Sequence, residues 1–322
     1  MSSAVAMLDY VADLSPATFC QLFYVLSAAA VLAIAATPDS AQRLLTQYGA
    51  RSSGDASSST SSSSQEKTSK RGTSEGVVTD VAGWITSVGK VPHSWFIHFY
   101  ILSLSCSVFW AVQYVCHGTL LELIMRKQAS STTASMTLGQ VVLVWFLMGL
   151  QGARRLFEYL AVLQPSSSRM WVVHWLLGNA FYLCTSMAVW VEGSSSISYS
   201  DRMVSTVIPP LKVILGAAGF LFAFVMQYKC HRYLSNLKKY SLPLDGLFRY
   251  LVCPHYTCEC LLYLSLALVA APEGQLYNRT LVCAVLFVSV NLGVTANGTY
   301  KWYIERFGHG FQEKWKMIPY VF

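Results

Sequence analysis

The sequence predicts an all-α, polytopic membrane protein of about seven transmembrane helices, with a lumenal N-terminus and a cytoplasmic C-terminus. Of its 322 residues, 54% are hydrophobic and only 12% are charged, and the mean hydropathy is +0.42. An ordinary soluble domain has roughly twice that charged fraction. The apolar residues also gather in long runs, and a helix needs roughly 20 such residues to cross a bilayer.

Seven apolar runs define the predicted helices, some of them shorter than a full span unless flanking aromatic residues extend them. They are Phe19–Ala36, Trp95–Cys116, Leu138–Leu150, Trp171–Val191, Pro210–Gln227, Cys258–Ala271 and Leu281–Ala296. The acidic segment before the first run lacks the basic stretch of a cleavable signal, so we expect this run to be retained as a signal anchor.

The basic segments between the runs set the orientation. If the N-terminus is outside, Arg43–Lys90, Arg154–Arg169, Lys229–Arg249 and Lys301–Lys316 all face the cytoplasm, where positive charge is favoured. Arg126 and Lys127, in an outside loop, fit this arrangement less well. The excess of 23 Lys+Arg over 16 Asp+Glu is therefore explained by topology, and no nucleic-acid partner is predicted.

Three regions follow from this pattern. Residues 1–36 form an N-terminal tail and the first helix, residues 37–90 a Ser-rich cytoplasmic linker, and residues 91–322 a six-helix domain. Within the linker, Arg51–Glu75 consists almost entirely of Ser, Thr, Gly and a few charges, which predicts disorder. The sequons at Asn278 and Asn297 are interpreted as chance matches.

Conventional cofactor and metal motifs are missing from the sequence. The nine cysteines show no metal-ligand spacing, so we predict neither zinc nor disulfides. There is no HExxH motif, no nucleophile elbow and no Gly-rich phosphate loop. A bound nucleotide would therefore have to lie among helices and their cytoplasmic loops.

Four polar segments at the ends of apolar runs could carry chemistry, because ionisable groups at membrane depth are costly and usually functional. They are Val91–Tyr100, Gln151–Tyr159, Gln227–Lys239 and Cys253–Cys260. The first three also have plainer explanations: an interfacial aromatic belt for the first, a positively charged anchor for the second, and a basic cap over anionic lipid for the third. In the fourth, a glutamate enters the membrane and requires a partner.

These segments, in this order, resemble the steroid 5α-reductase family, and most closely its polyprenol reductase branch. The resemblance rests on Val91-Pro with Trp95-Phe and His98-Phe-Tyr100; Arg154-Arg-Leu-Phe-Glu158; Gln227-Tyr-Lys-Cys-His231 with Asn236-Leu-Lys-Lys239; Pro254-His-Tyr256 with Glu259; Asn291; and Trp302-Tyr303 with Phe307 and Ile318-Pro319. It covers Val91 to Phe322.

The resemblance implies an endoplasmic-reticulum membrane enzyme that uses NADPH to reduce a carbon–carbon double bond of a long-chain polyprenoid in dolichol synthesis. It implies that cofactor contacts come from Arg154, Arg155, Gln227, His231, Lys238, His255, Glu259, Asn291 and Tyr303, and that His98, Gln151, Glu158 and Tyr256 are catalytic. His255 stands where the family usually has Asn. The steroid-reducing branches grip a ketone with a Glu and a Tyr, and His98 and Gln151 fall near those places, which argues against a steroid.

Several substrates and several classes of membrane protein are compatible with these residues. Hydride adds readily only to an alkene conjugated with a carbonyl, so an aldehyde is favoured over an allylic alcohol, with His98 as the first candidate to polarise it and Tyr100 and Tyr256 as alternatives. Other reductase possibilities are a 3-oxo-5α-steroid 4-dehydrogenase and a very-long-chain enoyl reductase. A transporter would often show inverted repeats, and none is detected. Membrane lipids are the expected surroundings, and no obligate protein partner is inferred.

Overall fold

The computed structural model describes residues 14–38, 42, 80, 83–84, 86, 89–129, 135–163, 168–198, 209–238 and 240–322. Most of the predicted linker lies outside these residues. The described part is mainly helical, and its helices are α1 (Pro16–Ala35), α2 (Ile97–Val115), α3 (Thr119–Ala129), α4 (Leu138–Phe157), α5 (Val172–Glu192), α6 (Ser194–Ser198), α7 (Leu211–Asn236), α8 (Pro254–Val269) and α9 (Arg279–Phe307). Each predicted apolar run coincides with one of the long helices.

Within the part of the chain that the structure describes, five helices are long and apolar enough to cross a membrane: Pro16–Ala35, His93–Val115, Val172–Glu192, Leu211–Asn236 and Arg279–Gly310. The protein is therefore a multi-pass membrane protein by length and composition. Helix α4 has 20 residues but carries two arginines, whereas α8 has only 16 residues. Both pack into the same bundle, since α8 contacts α7 and α9, and α4 contacts α2.

Local signals fix where several helices begin. The Ser15 side chain accepts a hydrogen bond from the Thr18 amide at the start of α1. Thr137 and Gln140 form a capping box at the start of α4. Such caps satisfy amide groups that have no partner within the helix. Asn278 caps α9 in the same way and is 1% exposed, so the first sequon is part of a buried helix start.

Two features were not expected from the sequence. Strands β1 (Lys90–Pro92) and β2 (Arg169–Trp171) pair antiparallel just before α2 and α5. The stretch that holds Arg126 and Lys127 forms the amphipathic helix α3 rather than an irregular loop. The strands hold the first turns of α2 and α5 side by side.

The long helices form a ring of neighbours. Helix α2 packs between α4 and α5, α5 contacts α1, and α1 lies along α9; α9 then packs on α8, and α8 on α7. The ring closes where the end of α7 meets the π-helical turn Glu158–Val162 that follows α4. One end of this ring therefore brings together the four polar segments singled out above.

Candidate active site

A cavity of about 470 Å³ opens at the end of the bundle where α2, α5 and α8 begin. Its wall combines polar and apolar side chains from the seven long helices α1, α2, α4, α5, α7, α8 and α9. The polar residues in the wall are His93, Tyr100, Arg155, Tyr159, His174, Tyr182, Gln227, His231, His255, Tyr256, Glu259, Asn291 and Thr295. Concave sites with a few convergent polar groups are typical of small-molecule binding.

Beneath the cavity lies a buried ionic cluster centred on Glu158, which is fully buried. Its Oε1 lies 3.2 Å from Arg154 Nη1, and its Oε2 contacts Arg155 Nη1 and lies 2.8 Å from His231 Nδ1. Charges removed from water are tolerated only when they are paired and hydrogen-bonded. Glu158 therefore holds two guanidinium groups in fixed positions at the end of α4.

Arg155 connects this cluster to the cavity. Its Nη2 donates a 2.8 Å hydrogen bond to Tyr100 Oη, and its Nη1 lies 2.7 Å from His231 Nδ1. The guanidinium carbon also lies 5.1 Å from the centre of the Tyr100 ring. Because Tyr100 Oη accepts from Arg155, its hydroxyl hydrogen remains to be donated to another acceptor.

Gln227 occupies the centre of a second network. Its Oε1 accepts hydrogen bonds from Arg154 Nη2 and from Gln151 Nε2, the latter at 3.1 Å. Its Nε2 donates to the His255 carbonyl at 3.1 Å and to Glu259 Oε2. These contacts fix the orientation of the Gln227 amide and tie α7 to α4 and α8.

His255 supplies an unsatisfied polar atom. Its Nδ1 is buried and has no hydrogen-bond partner among the residues that the structure describes. The imidazole lies in the cavity wall, with its centre 4.2 Å from that of the Tyr256 ring and 5.5 Å from that of His231. A buried nitrogen without a hydrogen-bond partner is costly, and a ligand group in the cavity would supply that partner.

The C-terminal segment folds back over the first turn of α8. The Val252 and Cys253 amides donate to the carbonyls of Trp315 and Lys316 at 2.9 and 3.0 Å. The Lys316 ammonium lies 4.4 Å from the centre of the Phe322 ring. Burial, and then the positive charge of Lys301, lower the pKa of Lys316. This places positive charge close to α8 and α9.

The structure brings most of the predicted site residues together. Arg155, Gln227, His231, His255, Tyr256, Glu259 and Asn291 line the cavity, whereas Gln151, Arg154 and Glu158 support it from behind. Three others lie outside the wall. Lys238 is exposed beyond the end of α7, and Tyr303 packs against Phe307 and Phe311.

His98, the third, also lies outside the cavity wall. Its Nδ1 accepts a 3.2 Å hydrogen bond from Trp175 Nε1, and its ring packs against Trp95. In the structure this histidine joins α2 to α5. By contrast, Tyr100, which follows it by two residues, faces the cavity.

Sequence reasoning missed the contribution of α5 to the cavity. His174, Gly178, Phe181 and Tyr182 all line the wall. Their spacing of about four and seven residues places them on one helical face. That spacing was a usable signal, but the surrounding run is largely apolar and offers little contrast between a cavity-facing side and a lipid-facing side.

Comparison with known proteins gives two kinds of match. The family model described as 3-oxo-5-alpha-steroid 4-dehydrogenase matches residues 168–322. A polyprenal reductase from Caenorhabditis elegans is 27% identical over 252 residues, covering 72% of this chain and 80% of the relative. The polyprenal reductase of Saccharomyces cerevisiae is 33% identical over 180 residues, covering 56% of this chain and 64% of the relative.

Residues 168–322 carry a domain of the steroid 5α-reductase family. Polyprenal reductase 2 of Oryza sativa subsp. japonica, at 24% identity over 72% of this chain and 79% of its own length, agrees with this assignment. The matched family region contains Gln227, His231, His255 and Glu259. The matched region thus supplies most of the residues that line the cavity, whereas Tyr100 and Arg155 come from the preceding part of the chain.

Proposed function

We propose that this protein is an NADPH-dependent oxidoreductase that reduces the α-isoprene double bond of polyprenal in dolichol synthesis, which serves protein N-glycosylation. Polyprenal reductases are among its relatives in yeast, worm, mammal and plants. The structural observation that carries the proposal is the Arg155–Tyr100 pair, which presents a hydroxyl donor to a cavity with polar and apolar walls. This arrangement suits an amphiphilic substrate with a carbonyl at its head.

The polar side of the cavity fits a nicotinamide dinucleotide. Gln227, Glu259 and Asn291 provide amide and carboxylate groups, and His255 Nδ1 is a buried atom that needs a partner. When bound, NADPH supplies the hydride for the β-carbon of the substrate. The exposed cation Lys238 is within the segment that would meet phosphate groups, for which Lys and Arg are the usual ligands.

Tyr100 is the residue we assign to the aldehyde oxygen. Its hydroxyl already accepts from Arg155, so it can donate to the substrate as negative charge develops on that oxygen. The position is held by Glu158, which fixes Arg155. Tyr100 thus takes the role for which the sequence first suggested His98, since His98 Nδ1 is bonded to Trp175 outside the cavity wall.

The apolar side of the cavity suits the isoprenoid tail. Val31 and Ile34 from α1, Leu177 and Phe181 from α5, and Phe287 from α9 line it. Since α1 carries several exposed apolar side chains, the cavity borders a surface that faces lipid. We further propose that all seven long helices cross the endoplasmic-reticulum membrane, with the cavity at the cytoplasmic end and the N-terminus in the lumen, because the basic segments collect at that end.

The test offers the purified protein polyprenal, polyprenol and a Δ4-3-ketosteroid separately, each with NADPH or NADH. We expect turnover of polyprenal with NADPH and little turnover of the other two substrates. Turnover of the ketosteroid alone would show that the protein is a steroid reductase and would refute the polyprenal proposal. Efficient reduction of polyprenol without an added oxidant would exclude the aldehyde mechanism, and equal use of both nucleotides would exclude the proposed cofactor preference.

A further inference from the structure

Gly178 of α5 lies directly against the ring of Phe99 of α2 in the cavity wall. A Cβ atom placed on Gly178 would lie 2.7 Å from Phe99 Cζ, 2.8 Å from Cε1 and 3.3 Å from Cδ1. Carbon atoms that are not bonded to each other pack at about 3.5–4.0 Å. Any side chain at position 178 must therefore displace the Phe99 ring or separate the two helices.

The two helices cannot easily separate at this level. Strands β1 and β2 pair just ahead of the two helices, with β2 directly before α5 and β1 one 3₁₀ turn, His93–Phe96, before α2. The hydrogen bond from Trp175 Nε1 to His98 Nδ1 joins the same helices one turn before Gly178. The spacing between α2 and α5 is thus fixed from outside the cavity, and a larger residue at position 178 must move the ring instead.

The Phe99 ring has little freedom within the wall. It is 7% exposed, its centre lies 5.0 Å from that of the Phe96 ring, and it stacks on Tyr182 at 6.1 Å. With neighbours on these sides and Gly178 behind it, the open direction is the cavity that both Phe99 and Gly178 line. Glycine at 178 therefore keeps the ring back and the cavity wide at this point.

We propose that Gly178, acting through Phe99, sets the width of the slot that receives the methyl-branched α-isoprene unit. The inference rests on the proposed function, because Phe99 directly precedes Tyr100, the residue assigned to the aldehyde oxygen. The reacting double bond of polyprenal carries a methyl group on its β-carbon, which makes this unit wider than an unbranched 2-enal. Gly178 and Phe99 are thus specificity-determining positions rather than catalytic residues.

The test compares two substrates in four proteins. The substrates are polyprenal and its synthetic analogue that lacks the methyl group on the α-isoprene unit, each with NADPH. The proteins are the wild type, Gly178→Ala, the double variant Gly178→Ala/Phe99→Leu and the control Gly139→Ala. Gly139 is a suitable control because it is also helical and a Cβ atom there meets nothing within 4 Å.

We expect Gly178→Ala to lower kcat/KM for polyprenal about 10-fold or more relative to the desmethyl analogue, a discrimination typical of one methyl group in an apolar pocket. The smaller Leu in the double variant should restore the ratio toward that of the wild type, and Gly139→Ala should leave it unchanged. Alanine favours a helix more than glycine does, so α5 itself tolerates the change.

Other outcomes separate the inference from the proposed function. An equal loss of activity toward both substrates, with no recovery in the double variant, would show that Gly178 only allows close helix packing and would overturn the inference. A wild type that reduces polyprenal but not the desmethyl analogue would also overturn it, since a slot limited by width accepts the narrower molecule. A wild type inactive toward polyprenal would instead refute the proposed function.

Discussion

Removal of the Tyr100 hydroxyl tests whether this group donates a hydrogen bond to the aldehyde oxygen of the substrate. Arg155 Nη2 donates to it at 2.8 Å, so the hydroxyl hydrogen is left for the substrate. We expect Tyr100→Phe to lower kcat about 100-fold or more, as for other single donors to a developing oxyanion, with KM changed only a few-fold. Steady-state kinetics with polyprenal and NADPH measure this.

The matched control is Tyr114→Phe. Tyr114 lies on the same helix, and its ring packs against Trp190 outside the cavity wall. Its variant should keep the kinetic constants of the wild type. If Tyr100→Phe behaved like this control, the donor would have to be sought elsewhere, with Tyr256 the next candidate in the wall.

Lys238 tests the electrostatic part of cofactor recognition. The side chain is exposed, so its contribution to binding the 2′-phosphate of NADPH, which NADH lacks, should be screened by salt. We expect Lys238→Ala to raise KM for NADPH several-fold at low ionic strength, with a smaller change at high ionic strength and little change for NADH. Lys127→Ala on α3 is the control. A salt-independent effect would indicate a structural role for Lys238.

At the scale of an element, Gln140 links the start of α4 to the end of α8. It completes the capping box with Thr137, and its Nε2 donates to the carbonyls of Val269 and Ala271 at 2.7 and 2.8 Å. Gln140→Leu leaves these two carbonyls without this donor, and each unsatisfied buried group costs roughly 1–3 kcal/mol. We expect a clearly lower Tm in detergent.

The activity of the folded Gln140→Leu protein should be unchanged, because Gln140 and the cavity are at opposite ends of α4. The exposed Gln312 provides the control variant Gln312→Leu, which should keep the wild-type Tm. An unchanged Tm in Gln140→Leu would mean that neither carbonyl depends on this side chain.

The helices themselves were largely predictable, and the connections between them were not. Each apolar run marked a helix because a long apolar segment in lipid must satisfy its backbone groups internally. The pairing of Lys90–Pro92 with Arg169–Trp171 was missed, since three residues give no periodicity to detect. The helix that holds Arg126 was missed because its residues have no long apolar run.

For the whole molecule, the orientation is the first open prediction. The distribution of basic segments predicts that a glycosylation tag added at the N-terminus is modified in microsomes, whereas the same tag at the C-terminus is not. Glycosylation of the C-terminal tag would show that the topology is the inverse of the predicted one. It would also place the cavity on the lumenal side, away from the cytoplasmic supply of NADPH.

The Ser-rich linker gives a second prediction at this scale. Its composition cannot bury enough apolar surface to offset the entropy of ordering it. Deletion of Ser57–Ser64 should therefore change neither membrane insertion nor the rate of polyprenal reduction. An inserted and stable but inactive deletion variant would show that the linker docks on the catalytic part of the protein.

The sequence by itself determined the membrane class, the positions of the seven long helices and most of the polar residues that line the cavity, because polar groups at the ends of apolar runs are costly and usually functional. Only the tertiary structure decided which faces meet. Tyr100 finds Arg155, and Phe99 finds Gly178, across different helices. An apolar side chain is about equally stable against lipid and against another helix, so hydropathy does not determine which helix faces contact each other. Close packing and a few hydrogen bonds determine those contacts.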